Sequence, residues 1–407
     1  MNMRYGFRAA AVFLAAALLL GGCEQKNVVY MPEENYTRTQ KDGCDITIVK
    51  EPYSMSWSGV VANWNEGGDV YYWFNSKTGR IEQLEEKTCE GVYTLGGTEY
   101  PFSFDYYITP RKPDVLCWGD NHFMDAYKTG VKDTKLSYDI NTPILDNRYA
   151  FFQVTGIGGK AVWDLWLVDL STGKLVEEIG REGADDFLLQ EGSAPVYAYY
   201  AALSPDEKWM TFYSERWEEA TVETGIYGKI CLRNRKTGEE YPLDYPDDVR
   251  PDAWLDEETL CYSTIKDGVY HWYLYNVRTD EEQRFQAPHS HTSDLLAMRD
   301  SLYCVDLDSR ELVDIVSGER QPLNVEADTN FWNSTIVKGQ GDRLLLNNGE
   351  MLYVYQIKTG KTVAISRDDL NCMGIFRASF YTDDCLALTL VEDKGSPDGH
   401  AAFIQLD

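Results

Sequence analysis

Short apolar runs alternate with polar residues along most of the chain, and one phrase built from them keeps returning. An apolar strand is followed by a polar residue, a turn closing on Thr-Gly or a near equivalent, and a second short strand. The phrase reads VYYWFNSKTGRIEQL up to Leu84, HFMDAYKTGVKDTKL from His122, DLWLVDLSTGKLVEEI from Asp164 and KICLRNRKTGEEYPL from Lys229. It returns as HWYLYNVRTDEEQRF from His271, LVDIVSGERQPL from Leu312 and MLYVYQIKTGKTVAI from Met351. The turn residue falls at Gly79, Gly130, Gly173, Gly238, Asp280, Gly318 and Gly360, in steps of 51, 43, 65, 42, 38 and 42 residues. The flanking Tyr, Trp, Val, Leu and Ile suit a pleated, half-buried surface. Glycine, and aspartate in its place, tolerates the positive φ that closes a tight hairpin.

A second strand pair precedes most of these phrases, as in AALSPDEKWMTFYSE at 201–215. Several strands within each period of about 40–50 residues point to blades of a β-propeller. The expectation is an all-β fold: a single β-propeller of four-stranded antiparallel blades, eight favoured and seven the alternative, because the unit around 86–138 is irregular. A sandwich or a two-domain β protein is the competing architecture. The last unit, CLALTLVEDKGSPDGHAAFIQLD, lacks a fourth strand, and DITIVKE at 45–51 is the natural donor. Pairing of the N- and C-terminal strands would close the ring and leave no sheet edge open to aggregation. The turn Ser204-Pro205-Asp206, followed by Trp209, Met210 and Phe212, resembles the SPDG-type repeat of Tol-associated and related WD-repeat-like bacterial propellers, with Glu207 where that repeat has glycine.

The N-terminus follows a different rule. Arg4 and Arg8 precede an apolar run of 12 residues, Ala9–Leu20, and then Gly21, Gly22 and Cys23. A basic start, a short apolar run and small residues before a cleavage point mark an export signal, and spanning a bilayer takes about 20 residues. Leu20-Gly21-Gly22-Cys23 resembles the lipobox of bacterial lipoproteins, which implies that Cys23 is acylated, as with palmitate, and becomes the mature N-terminus. The expected division is a signal at 1–22, the lipidated Cys23 with a polar tether at 23–43, and the propeller at 44–407. The implied location is the cell envelope, lipid-anchored on the extracytoplasmic side of a membrane.

Composition sharpens the picture of partners. The net charge of −28 disfavours nucleic acid, which wants Lys and Arg. Eight cysteines follow Cys23, and most sit in apolar strand-like runs such as KICLR, TLCYS and LYCVD. Free cysteine behaves there as a small buried hydrophobe, so buried thiols are expected rather than disulfides.

In a propeller, the loops between second and third strands share one face with the loops between blades, and such loops carry binding residues. The longest insertion, ERWEEATVETGIYG at 215–228, sets Trp217 beside Glu218 and Glu219. An exposed Trp among carboxylates can stack on a sugar or hold a cation. Asp185, Asp186, Asp247 and Asp248 fall on the same face; calcium takes six to eight oxygens, but no stretch has EF-hand spacing, so Ca²⁺ is unsupported and no cofactor is expected. His289 and His291 lie between two blades without an identifiable third metal ligand. No GxSxG, HExxH or P-loop motif is present. The favoured function is therefore a monomeric, non-enzymatic binding or scaffolding lipoprotein for an envelope protein, peptide or glycan. The alternative is an extracytoplasmic carbohydrate-active enzyme using paired loop carboxylates.

Overall fold

The computed structural model describes residues 28–406 except 56–60, 64–69, 96–97, 108–135, 140–143, 146–148, 158–159, 170–171, 173, 180–195, 215–228, 244–249, 267–268, 288–290, 294, 299–300 and 392–398. Apart from a 3-10 turn at Glu33–Asn35 and one short helix, α1 (Thr329–Asn333), the regular elements among the described residues are β-strands.

The strands β1 (Tyr36–Lys41) and β2 (Cys44–Val49) form a hairpin. The strands β3 (Ser54–Met55), β4 (Val61–Ala62), β5 (Tyr71–Asn75) and β6 (Arg80–Gln83) follow as an antiparallel meander. The long hairpin β7 (Glu86–Leu95) and β8 (Thr98–Tyr107) stands as its own two-stranded sheet. Next come β9 (Leu136–Asp139), β10 (Ile144–Leu145), β11 (Tyr149–Ile157), β12 (Lys160–Asp169) and β13 (Lys174–Ile179) in one sheet. Two four-stranded meanders succeed it. The first holds β14 (Val196–Leu203), β15 (Trp209–Ser214), β16 (Lys229–Asn234) and β17 (Glu240–Pro242). The second holds β18 (Arg250–Trp254), β19 (Thr259–Lys266), β20 (Val269–Asn276) and β21 (Glu281–Gln286).

Two more meanders repeat the plan: β22 (Leu296–Met298), β23 (Ser301–Asp306), β24 (Glu311–Asp314), β25 (Arg320–Pro322), then β26 (Ile336–Gln340), β27 (Arg343–Asn347), β28 (Met351–Gln356), β29 (Thr362–Ser366). The chain ends on β30 (Gly374–Thr382), β31 (Cys385–Val391) and β32 (His400–Gln405). On the open side of β32 lies β2, with Asp45 opposite Gln405 and Ile48 opposite Ala402. At His400 the same strand also meets Ser54 of β3, so two meanders join into one nine-stranded sheet.

From the β9–β13 sheet onward the sheets pack on one another in chain order, because their inner strands bury apolar side chains on both faces. Leu203, Met210 and Phe212 meet Leu167 and Ile179 of the sheet before, while Ile230 and Leu232 meet Trp254 and Leu260 of the sheet after. Cys261 and Trp272 then meet Leu302 and Cys304, and Leu312 and Val325 meet Leu344 and Tyr355. The series continues through Leu345 and Val354 against Leu388 and Ile404, and through Phe403 against Phe74, stacked at 4.6 Å. Four-stranded antiparallel sheets stacked face to face in sequence order are the construction of a β-propeller.

The recurring phrase is the hairpin between third and fourth strands. Gly79, Gly238, Asp280, Gly318 and Gly360 all have positive φ, between 58° and 76°. The polar residue ahead of each turn has a job as well. The carboxamide oxygen of Asn234 accepts the amides of Lys236 and Thr237 at 3.0 and 3.1 Å, and Asn276 and Asp314 repeat the arrangement. Such Asx turns hold the backbone locally. At 204–209 the Ser204 hydroxyl donates to Asp206 and accepts the amide of Trp209, and Glu207 takes φ 60°, the conformation that glycine serves in the resembled repeat.

The segment read as tether contains β1, its Met31 and Tyr36 are buried, and Tyr30 bridges Glu82 at the edge of β6. The sequence there looks unstructured because β1 is an outermost strand with only one buried side chain, Tyr36, at its start. Cys44, Cys231, Cys261, Cys304 and Cys385 are buried, as their apolar surroundings in the sequence suggest, while Cys372 is half-buried.

Candidate functional site

Antiparallel order gives every sheet two distinct ends. The turns joining first to second and third to fourth strands gather at one, here the turn end. The second-to-third connections and the links between sheets gather at the other, the loop end. Nine of the residues singled out from the sequence (Cys23, Asp185, Asp186, Trp217, Glu218, Glu219, Asp247, Asp248 and His289) lie outside the described residues. The strands on either side of them are described. Ser214 and Lys229 end β15 and β16, Ile179 and Val196 bound β13 and β14, and Leu243 and Arg250 flank the passage from β17 to β18. All six positions belong to the loop end.

His291 is described. Its Nδ1 sits 2.5 Å from an Asp308 carboxylate oxygen, and its carbonyl accepts the amide of Leu307 at 3.2 Å. The histidine is thus fastened to the turn between β23 and β24. That turn is built on Asp306, which is almost fully buried and accepts the amides of Asp308 and Ser309 at 3.2 and 3.0 Å. Arg320 donates to Asp306 at 3.2 Å and to Glu311 at 2.8 Å. The Arg320 hydrogen bond, helped by the Ser309 hydroxyl, holds the Glu311 carboxyl below the usual carboxylate range. One strand layer in, burial pushes the Cys304 thiol up to about 12, with the Asp306 charge adding to it.

Beyond this turn the loop end becomes aromatic and apolar. The Arg310 guanidinium lies 5.6 Å from the ring centre of Trp332, a cation–π distance, on α1. Asp328 caps α1 by accepting the amide of Phe331 at 2.8 Å, and Phe331 stands edge-on to Tyr353 at 4.9 Å. The next turn is fixed by Asn347 and Asn348, whose side chains accept the amides of Gly349, Glu350 and Met351. Its Gly349 carbonyl takes the amide of Ile375 at 2.7 Å, which ties the start of β30 to the neighbouring sheet. Here Ile336, Met373 and Phe376 are 61 %, 51 % and 67 % exposed. Phe376 sits where the β30–β31 register slips, between Ile375 and Arg377, a bulge that turns its side chain away from the pairing pattern.

Nothing in the sequence pattern singles out Ile336, Met373 and Phe376. All three fall at strand starts, where an apolar residue in FRASFY or TIVKG reads as one more core position. Among the described residues no group of three His, Cys, Asp or Glu side chains is placed to hold a metal ion. Among the described residues this end offers a hydrogen-bonded base with exposed apolar and aromatic groups.

No protein family matches the sequence, and no curated protein resembles it significantly. Solved structures resemble the fold. Oligogalacturonate lyase in complex with manganese is 14 % identical, covering 93 % of this chain and 97 % of its own, with a TM-score of 0.47. The β-propeller domain of the Trilobed protease from Pyrococcus furiosus is 15 % identical over 60 % of this chain and 76 % of its own, with a TM-score of 0.40. An exported protein from Bacteroides fragilis is 12 % identical over 74 % of this chain and 98 % of its own, with a TM-score of 0.35. The class of protein defined here is a nearly all-β propeller, and that assignment rests on the stacked sheets themselves.

Proposed function

We propose that this protein is a lipid-anchored envelope propeller that acts as a non-enzymatic binding or scaffolding module for a protein, peptide or glycan. In this reading the five sheets from β9 to β29, the β3–β6 and β30–β32–β2 halves of the nine-stranded sheet, and the β7–β8 hairpin are counted into eight blades. The pairing of β2 with β32 is the closure of the ring. Acylation of Cys23 holds the domain at a membrane on its extracytoplasmic side.

The observation that carries the binding reading is convergence. The strands flanking Asp185, Asp186, Trp217, Glu218, Glu219, Asp247 and Asp248 all stop at the loop end, where His291 is held by Asp308. Loops on a rigid scaffold are where recognition residues gather. The acidic balance suits a cationic partner, steered by charge and held by aromatic anchors.

The test is recovery of envelope partners with the intact lipidated protein, followed by binding kinetics with the partner recovered. Trp217→Ala should raise the off-rate, and Asp185→Asn with Asp186→Asn should lower the on-rate. Raising salt from 0.1 M to 1 M, where the Debye length falls from about 10 Å to about 3 Å, should weaken the complex. Kinetics indifferent to all three changes would move the site to the turn end.

A further inference from the structure

The segment entering the fold fixes a direction that the sequence does not disclose. Residues 29–31 run antiparallel to β6: the Val29 carbonyl accepts the amide of Gln83 at 2.8 Å, Tyr30 bridges Glu82, and the Met31 amide donates to Ile81 at 2.9 Å. Traced backwards from Met31, the chain moves away from the Gly79 hairpin and leaves β6 at its loop end. Arg80 lies over the Tyr30 ring at 4.9 Å, which pins this run against the sheet edge.

Cys23 precedes Val28 by five residues, and five residues reach at most about 18 Å however they are arranged. The first described residues after it stand at the loop end of β6, so an acyl group on Cys23 would be attached within that reach of the loop end.

A second observation agrees with the first. Val28, Val29, Val70, Ile336, Met373 and Phe376 are large apolar side chains that are exposed, and each lies at or beside the loop end of its sheet. Toward the turn end, the exposed large apolar side chains among the described residues are Val176 and Val316. The net charge of −28 gives no attraction to anionic lipid, so contact there depends on the apolar groups and not on basic ones.

We propose that the loop end faces the membrane and that its exposed apolar side chains, Met373 and Phe376 foremost, rest on the lipid surface. Apolar groups at an interface settle roughly 5–10 Å into the boundary between headgroups and acyl chains, within reach of a bulged Phe. The inference rests on lipid anchoring at Cys23 and adds a direction to it. It also restricts the proposed binding function to partners met at the membrane surface.

The experiment uses the full-length lipidated protein on phosphatidylcholine vesicles, with the photo-crosslinker p-benzoylphenylalanine placed singly at Met373, Phe376, Ser317 or Thr359. Lipid adducts, read by mass, are expected at the first two positions and lost at Ser317 and Thr359, which lie in turn-end hairpins. A chain that carries no acyl group and does not hold to the vesicles overturns the anchoring reading and this orientation together. A chain held on the vesicles that gives adducts at Ser317 or Thr359 instead, or at none of the four, overturns the orientation alone.

Discussion

At Gly318 the backbone runs at φ +76° and no atom stands within 4 Å of where a Cβ would sit. At Gly399 the backbone is ordinary, but a Cβ would fall 2.5 Å from the Leu390 carbonyl oxygen and 2.5 Å from Thr389 Cγ2. The first glycine is a matter of torsion alone, the second of space. Gly318→Ala should cost about 1 kcal/mol, the usual penalty for an L side chain in the left-handed region. Gly399→Ala should cost about 2–3 kcal/mol, because the obstructing oxygen belongs to β31 and cannot yield without disturbing the Leu390–His400 pair. Urea unfolding of the two variants checks this, and equal midpoints would show that the approach at Gly399 is not as close as described. The sequence disclosed Gly318, since a turn glycine recurs in phase with apolar runs. It was silent on Gly399, whose constraint comes from a strand met only in the folded sheet.

Elements were legible in proportion to how much of them is buried. Strands such as VYYWFN and MLYVYQ announce themselves because both faces meet a neighbouring sheet, whereas β1 shows the pattern of an edge, with five of its six residues exposed or half-buried. A polar edge strand is indistinguishable from a tether until its partner is known, and the partner here, β2, is itself paired to the far C-terminus. The candidate site was half-legible for the same reason: loop insertions stand out as interruptions of the period, but the exposed Phe376 depends on a bulge that no periodicity encodes. The edge has a measurable consequence. Deleting residues 28–41 should destabilise the fold by about 3 kcal/mol or more, since Met31 and Tyr36 are each lost from an inter-sheet core and a buried side chain of this size contributes about 1.5–3 kcal/mol. Thermal melting of the deletion variant against the intact chain decides it; an unchanged transition would return this stretch to the role of tether.

At the scale of the whole molecule the question is whether stacked sheets open one at a time or together. Among the described residues the four meanders from β14 to β29 each share cores with both neighbours, and one strand of the first hairpin completes the last sheet, so loss of any of these meanders uncovers apolar surface on two others. The buried thiols report on this directly, because they are distributed among different cores: Cys231, Cys261 with Cys304, Cys44 and Cys385. A thiolate is the reactive species. With burial holding the Cys304 thiol up to about 12, only roughly one molecule in 10⁵ carries it as thiolate at pH 7, and alkylation must await opening of the core. Cys372, half-buried with its Sγ 3.6 Å from the Arg367 carbonyl, should react first and in the native state. The five buried thiols should then react together as urea crosses a single unfolding transition, followed residue by residue through mass spectrometry of the alkylated peptides. Separate midpoints, with Cys231 modified while Cys385 stays protected, would mean that the sheets are independent units and that the β2–β32 pairing does not couple the ends of the chain.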